Sequence, residues 1–241
     1  MKIAVKNLSK KFNNIFAVQD ITFDIPKNKT LGLLGPNGCG KTTSIGMMLG
    51  LIEPCEGTIL YDDKDINKTD KNYLLGQMNF ASPYIELPKK LTVKQNLEVY
   101  GRLYGVVNLT QRILEISSDL NLKSFLEKKT GELSSGQKNR VSLAKSLINK
   151  PKILFLDEPT ASLDPDIGDF VRNYIEDYKS KNDLTILLAS HNMNEVERLC
   201  DQIIMMKEGK IIDKGSCEDL IKLHGRNNLE ETFLKIARGN Q

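Results

Sequence analysis

The segment Gly35-Pro36-Asn37-Gly38-Cys39-Gly40-Lys41-Thr42 matches GxxxxGK[ST], directly after the apolar run LGLL and before a helical stretch. In that setting a glycine-rich turn points its backbone N–H groups at phosphates, and the following helix adds its positive end. Lys41 is expected on the β- and γ-phosphates. Thr42 is expected to offer its hydroxyl to Mg²⁺, and Thr43 its amide and hydroxyl to a phosphate oxygen. Further along, ILFL delivers Asp157 and Glu158 side by side before Pro159 stops the strand. Carboxylates at the carboxyl edge of a sheet stand where α/β folds bind ligands. Asp157 is expected to hold Mg²⁺, directly or through water, and Glu158 to polarise a water attacking the γ-phosphate. The chemistry implied is ATP binding and hydrolysis.

Ser134-Ser135-Gly136 opens an amphipathic stretch from about Gln137 to Asn149. Serine is a favoured N-cap, and a helix opening with serine hydroxyls also binds phosphate, so two readings stand. If the chain's own loop already holds ATP, this second anion site would serve another copy's nucleotide, in a symmetric head-to-tail dimer. His191 follows the run LTILLA; it is either structural or, at this third strand end, near the γ-phosphate. Asn67-Lys68-Thr69-Asp70 fits the guanine-reading pattern N-K-x-D but lies close behind Lys41 in turn-rich polar sequence, and is read as a surface turn. Cys39 lies inside the phosphate loop, so a bulky thiol adduct is expected to block ATP.

These residues need strands and helices to hold them. LGLL, ILFL and LTILLA are continuous apolar runs, as in parallel strands covered on both faces. KIAV and ITFDI alternate apolar and polar residues about a turn-prone KKFNN, as in an antiparallel layer. Between Leu91 and Lys150 the period becomes helical: Ile113, Ile116 and Leu120 recur, then Val141, Ala144 and Ile148, until Pro151 ends the run. QIIMM and KIID form a hairpin turning at Gly209. The expected division is a catalytic core over 1–80 and 151–215, a helical subdomain over about 81–150 and short helices over 216–241.

The 241 residues suit one large domain, and 40% hydrophobic with 27% charged residues is a globular balance. No apolar run reaches the ~18 residues of a membrane span, and MKIAVKNLSK lacks a signal-peptide core, so a cytosolic location is expected. A net charge of +3 gives no reason to expect a nucleic-acid partner. Cys39, Cys55, Cys200 and Cys217 show no metal or disulfide spacing; three of the four are expected to be buried.

Together these motifs resemble the nucleotide-binding domain of ABC transporters, from roughly Ile3 to Leu220. The resemblance implies a P-loop NTPase of α/β class, with a mostly parallel core sheet, an N-terminal antiparallel β layer and a helical signature subdomain. The phosphate loop is similar to the family's Walker A, and LSSGQ to its LSGGQ signature with serine for the first glycine. Ser134, Ser135, Gly136 and Gln137 would thus meet the partner's ATP. ILFLDEPT resembles Walker B with Glu158 as catalytic base, Ala161-Ser162-Leu163-Asp164 the D-loop, and Ser190-His191 the H-loop switch. Phe12 is assigned as the aromatic that stacks on adenine.

One element departs from the family. A Q-loop glutamine is expected where Ala81 or Ser82 stands, and Gln77 comes too early. The resemblance further implies a homodimer on ATP binding, Mg²⁺ as cofactor and separate membrane permease subunits docked on the helical subdomain. The subunit would lie on the inner face of the cell membrane as part of an exporter-type transporter, with no room for an extra domain after Asp213. The alternative is an ABC-type ATPase that drives or regulates a membrane complex without transporting a substrate.

Overall fold

A computed structural model describes residues 1–83, 86–161 and 163–238. The chain forms two compact units, residues 1–74 with 183–241, and residues 75–182. The first unit opens with β1 (Ile3–Phe12) and β2 (Ile15–Ile25), an antiparallel pair. Their turn rests on Asn13 and Asn14, both with positive φ, a conformation asparagine tolerates. The strand therefore runs through Lys10–Phe12, part of the expected turn. Next come β3 (Thr30–Leu34), α1 (Lys41–Met48), β4 (Glu56–Tyr61) and β5 (Lys64–Asp65); β4 pairs with β1 and β5 with β4, both antiparallel.

Helix α2 (Lys71–Gly76) leads into the second unit, which holds β6 (Met78–Ala81), α3 (Val93–Leu103), α4 (Leu109–Asp119), α5 (Ser135–Leu147), β7 (Ile153–Asp157) and α6 (Pro165–Lys181). The helical periodicity holds: Ile113, Ile116, Leu120, Val141, Ala144 and Ile148 are all buried. Helix α5 stops sooner than Asn149, and Lys150, ahead of Pro151, takes φ 49°. The chain then returns to the first unit through β8 (Thr185–Ala189), α7 (Met193–Leu199), β9 (Gln202–Lys207), β10 (Lys210–Gly215), α8 (Cys217–His224) and α9 (Leu229–Arg238).

In the first unit β3 is flanked by β8 and β9, both parallel to it, and β10 closes the hairpin expected at Gly209. All five residues of β3 and all five of β8 are buried, the signature of strands covered on both faces. Leu34, Val196, Ile203, Met205, Leu220 and Leu229 form one core cluster, which anchors the C-terminal helices on β3 and β9. In the second unit β6 and β7 pair in parallel. These mixed parallel and antiparallel sheets with their helices make the fold α/β. Within the second unit β7 and α6 group with β6 and the helices. Among the described residues no helix is long and apolar enough to cross a membrane.

Candidate active site

Strand β3 ends at Leu34 and the loop 35–40 lifts the chain into α1. Gly38 (φ 81°) and Gly40 (φ 107°) are left-handed, a conformation glycine adopts without steric cost. Gly35 is required for space, since a Cβ there would stand 2.4 Å from the Met206 carbonyl oxygen on β9. Lys41 Nζ donates to the carbonyl oxygens of Gly35 (2.6 Å) and Pro36 (3.3 Å), so the loop curls around its own ammonium. Asn37, Gly38 and Thr42 are exposed and Pro36 and Thr43 half-buried, which leaves the outer rim of the loop open to a ligand. The loop is pinned from below by the Gly209 N–H, which donates to the Cys39 carbonyl.

Cys39 bears on two expectations. Its side chain is only 2% exposed and points under the loop, 4.0 Å from Lys41 Nζ, so only its backbone belongs to the phosphate-facing surface. Burial pushes the thiol's pKa up, and the thiolate is the reactive form. The native thiol is therefore shielded from alkylation. Cys39 is also the one buried cysteine rather than one of three: Cys55 is exposed, and Cys200 and Cys217 are half-buried.

Strand β8 pairs with β3 in the register Leu33↔Ala189, so Ser190 and His191 leave the sheet at the same edge as Gly35. His191 is exposed, whereas Ser190 is fully buried. Ser190 Oγ donates to Glu195 Oε2 at 2.5 Å and accepts the Asn192 N–H at 3.1 Å; Asn192 caps α7 by accepting the Glu195 N–H. This knot fixes the main chain on both sides of His191. Glu195, fully buried, was missed by sequence reasoning; a serine before His191 and an acid in the next helical turn were its only signal. Phe12 lies at the tip of the β1–β2 hairpin, 49% exposed, with Lys10 Nζ 5.3 Å from its ring centroid.

In the second unit Asp157 ends β7, and both it and Glu158 are buried. Glu158 takes φ 54°, a left-handed conformation costing a non-glycine residue on the order of 1 kcal/mol. The Asn139 Nδ2 on α5 donates to the Pro159 carbonyl at 2.6 Å and ties that helix to the turn. The register Ala81↔Leu156 sets Ser82, one of the two positions lacking the glutamine, level with Asp157; Ser82 is buried.

The opening of α5 is a full capping box. Ser134 Oγ accepts the Gln137 N–H at 3.3 Å, and Gln137 Oε1 accepts the Ser134 N–H at 3.0 Å. Both side chains are thus engaged within the helix; Ser134 and Ser135 are both exposed, with Ser135 at the first helical position. A Cβ on Gly136 would meet Ile167 Cδ1, the tip of a side chain on α6, at 2.5 Å. Asp164 is exposed and precedes α6, whose first residue is Pro165; Ser162 of the same motif lies outside the described residues. Asn67 to Asp70 follow β5 in turns stabilised by the Asp65 and Asp70 carboxylates, as a surface turn should.

The first unit thus carries a glycine cradle around an enclosed lysine, and the second a buried Asp-Glu pair at a strand end. The family model for ABC transporter matches residues 18–161. The chain is 33% identical to the ABC transporter ATP-binding protein NatA of Bacillus subtilis, over 98% of this chain and 99% of that one. It is 34% identical to the Nod factor export ATP-binding protein I of Burkholderia lata (91% and 72%), and 32% to the Fe(3+) ions import ATP-binding protein FbpC 1 of Pectobacterium atrosepticum (91% and 62%). Among solved structures, a dimeric post-hydrolysis ATP-binding cassette with ADP and Pi superposes with a TM-score of 0.81 at 25% identity, over 89% of this chain and 98% of that one. The chain belongs to the ABC transporter family, as an ATP-binding subunit. Its relatives include both export and import proteins.

Proposed function

We propose that two copies of this chain bind MgATP, close head to tail, hydrolyse it and so drive a separate membrane permease in the direction of export. The observation that carries this reading is the pairing of a glycine-lined phosphate loop with a second helix opening whose own cap is satisfied and whose Ser135 is exposed. One chain has one phosphate loop, so the second opening is left for the partner's nucleotide. Lys41 then moves from loop carbonyls to the β- and γ-phosphates, a charge-assisted exchange of acceptors. Phe12 stacks on adenine. Glu158 accepts a proton from the attacking water, and His191, held by the Ser190–Glu195 knot, orients toward the γ-phosphate. Ser134 to Gln137 and Asp164 line the partner's site.

Thr42, exposed in the first turn of α1, and Asp157, an acid buried at the end of β7, are the oxygen donors that would hold a divalent cation. When bound, Mg²⁺ neutralises charge developing on the phosphates. Swinging a two-state permease from 1:99 to 99:1 takes about 5.5 kcal/mol of differential binding, within reach of two sandwiched nucleotides. The subunit would lie on the inner face of the membrane through its permease; export follows the likeness to exporter-type subunits, the Nod factor protein among them. Purification from membranes tests this. A multi-span permease at equal stoichiometry, moving solute outward in inverted or right-side-out vesicles, is the expected result. A stoichiometric partner without transport activity would refute it in favour of a non-transporting membrane complex.

A further inference from the structure

Near the far end of α5 a lysine is drawn inward. Lys145 Nζ donates to the Phe80 carbonyl at 3.2 Å and to Asn79 Oδ1 at 3.3 Å, and lies 5.2 Å from the Tyr100 ring centroid on α3. Asn79, 2% exposed, donates in turn to Asn149 Oδ1 at 3.0 Å, and Asn149 Nδ2 donates to the Gly76 carbonyl at 3.0 Å. Among the described residues no carboxylate pairs with this ammonium, and burial pushes its pKa down to about 8. A charge held at such a cost is held by directed bonds to carbonyl oxygens and a ring face.

Phe80 is the residue before Ala81, and Ala81–Ser82 is the place where the Q-loop glutamine is missing. The other end of α5 carries Ser134 to Gly136, roughly 15 Å away at 1.5 Å per residue. A helix is stiff over that length, so a small rotation about Lys145 displaces its opening.

We infer that Lys145 is a positioning residue for the composite site, a strap that makes the end of β6 and the signature helix α5 move as one piece. Through it a displacement at Ala81–Ser82 reaches the serines that face the partner's nucleotide, without a glutamine side chain. The inference rests on the proposal that this opening serves the partner's ATP. Its test uses Lys145→Met and Lys145→Arg in the full chain, with Lys145→Gln in place of Met should that variant not fold. The neutral variant should lower kcat for ATP about tenfold or more while MgATP affinity of the monomer stays within about twofold, and arginine should restore kcat. Hydrogen exchange should rise together over residues 78–82 and 134–141 in the neutral variant and revert with arginine. A kcat within twofold of wild type, an equal loss of monomer affinity, or faster exchange in only one segment overturns the inference. Wild-type protein that binds but never turns over ATP would contradict the proposed function instead, and the exchange result would still decide the strap.

Discussion

Helices α1 and α5 both open with small and polar residues, and they open differently. At α1 the N-cap is Gly40 in a left-handed conformation, and no side chain caps the helix. At α5 the N-cap is Ser134, and Ser134 and Gln137 cap each other reciprocally. The first opening keeps its surroundings bare for a ligand and fills the loop centre with Lys41. The second satisfies itself and stands stable without one, with Ser135 exposed to whatever approaches. Under the proposed function the difference has a use: the first opening would hold phosphate by itself, and the second would meet phosphate brought to it by another copy.

The first way to break this comparison is through the chemistry it serves. Glu158→Gln should lower ATP turnover by about 10²- to 10⁴-fold and leave ATP binding intact; wild-type turnover in a steady-state assay would remove Glu158 as the base. Next, Lys41→Ala should weaken ATP about 10- to 100-fold, the weight of a charge-assisted bond, when titrated with a fluorescent nucleotide. An unchanged affinity would mean that the α1 opening is not the phosphate site. Ser134→Ala should cost about 1 kcal/mol of stability by loss of the cap, read from urea denaturation, and leave monomer ATP affinity unchanged. A loss of affinity there would blur the two openings into one site. The smallest effect concerns Cys39: iodoacetamide should modify it far more slowly in the native protein than in urea, while Cys55 reacts at once. Equal native rates would place the thiol on the loop's surface.

The phosphate loop was legible because its conformation is local: Gly38 and Gly40 need left-handed backbone, and that need is written in the residue types themselves. The three buried strands were legible from unbroken apolar runs, and α4 and α5 from their period. What the residues could not convey is long-range. The Cys39 side chain turns inward because Met206 and Gly209 on the β9–β10 hairpin pack against the loop, contacts made across more than half the chain. Glu195 becomes a partner of Ser190 only once α7 starts at Met193. Lys145 stands outside the apolar period of Val141, Ala144 and Ile148, and its partners Phe80 and Tyr100 come from elements distant in sequence.

The central claim is that the opening of α5 acts on the partner's nucleotide, and mixing two inactive chains tests it most directly. Ser135→Arg blocks the α5 opening and keeps the phosphate loop; Lys41→Ala disables the loop and keeps the opening. Each alone should hydrolyse almost no ATP. In a mixed dimer the intact loop of the first faces the intact opening of the second, so ATP turnover measured across mixing ratios should reappear and peak near equal amounts. A mixture as inactive as its two components, with dimers present, would show that the opening serves its own chain and would contradict the account.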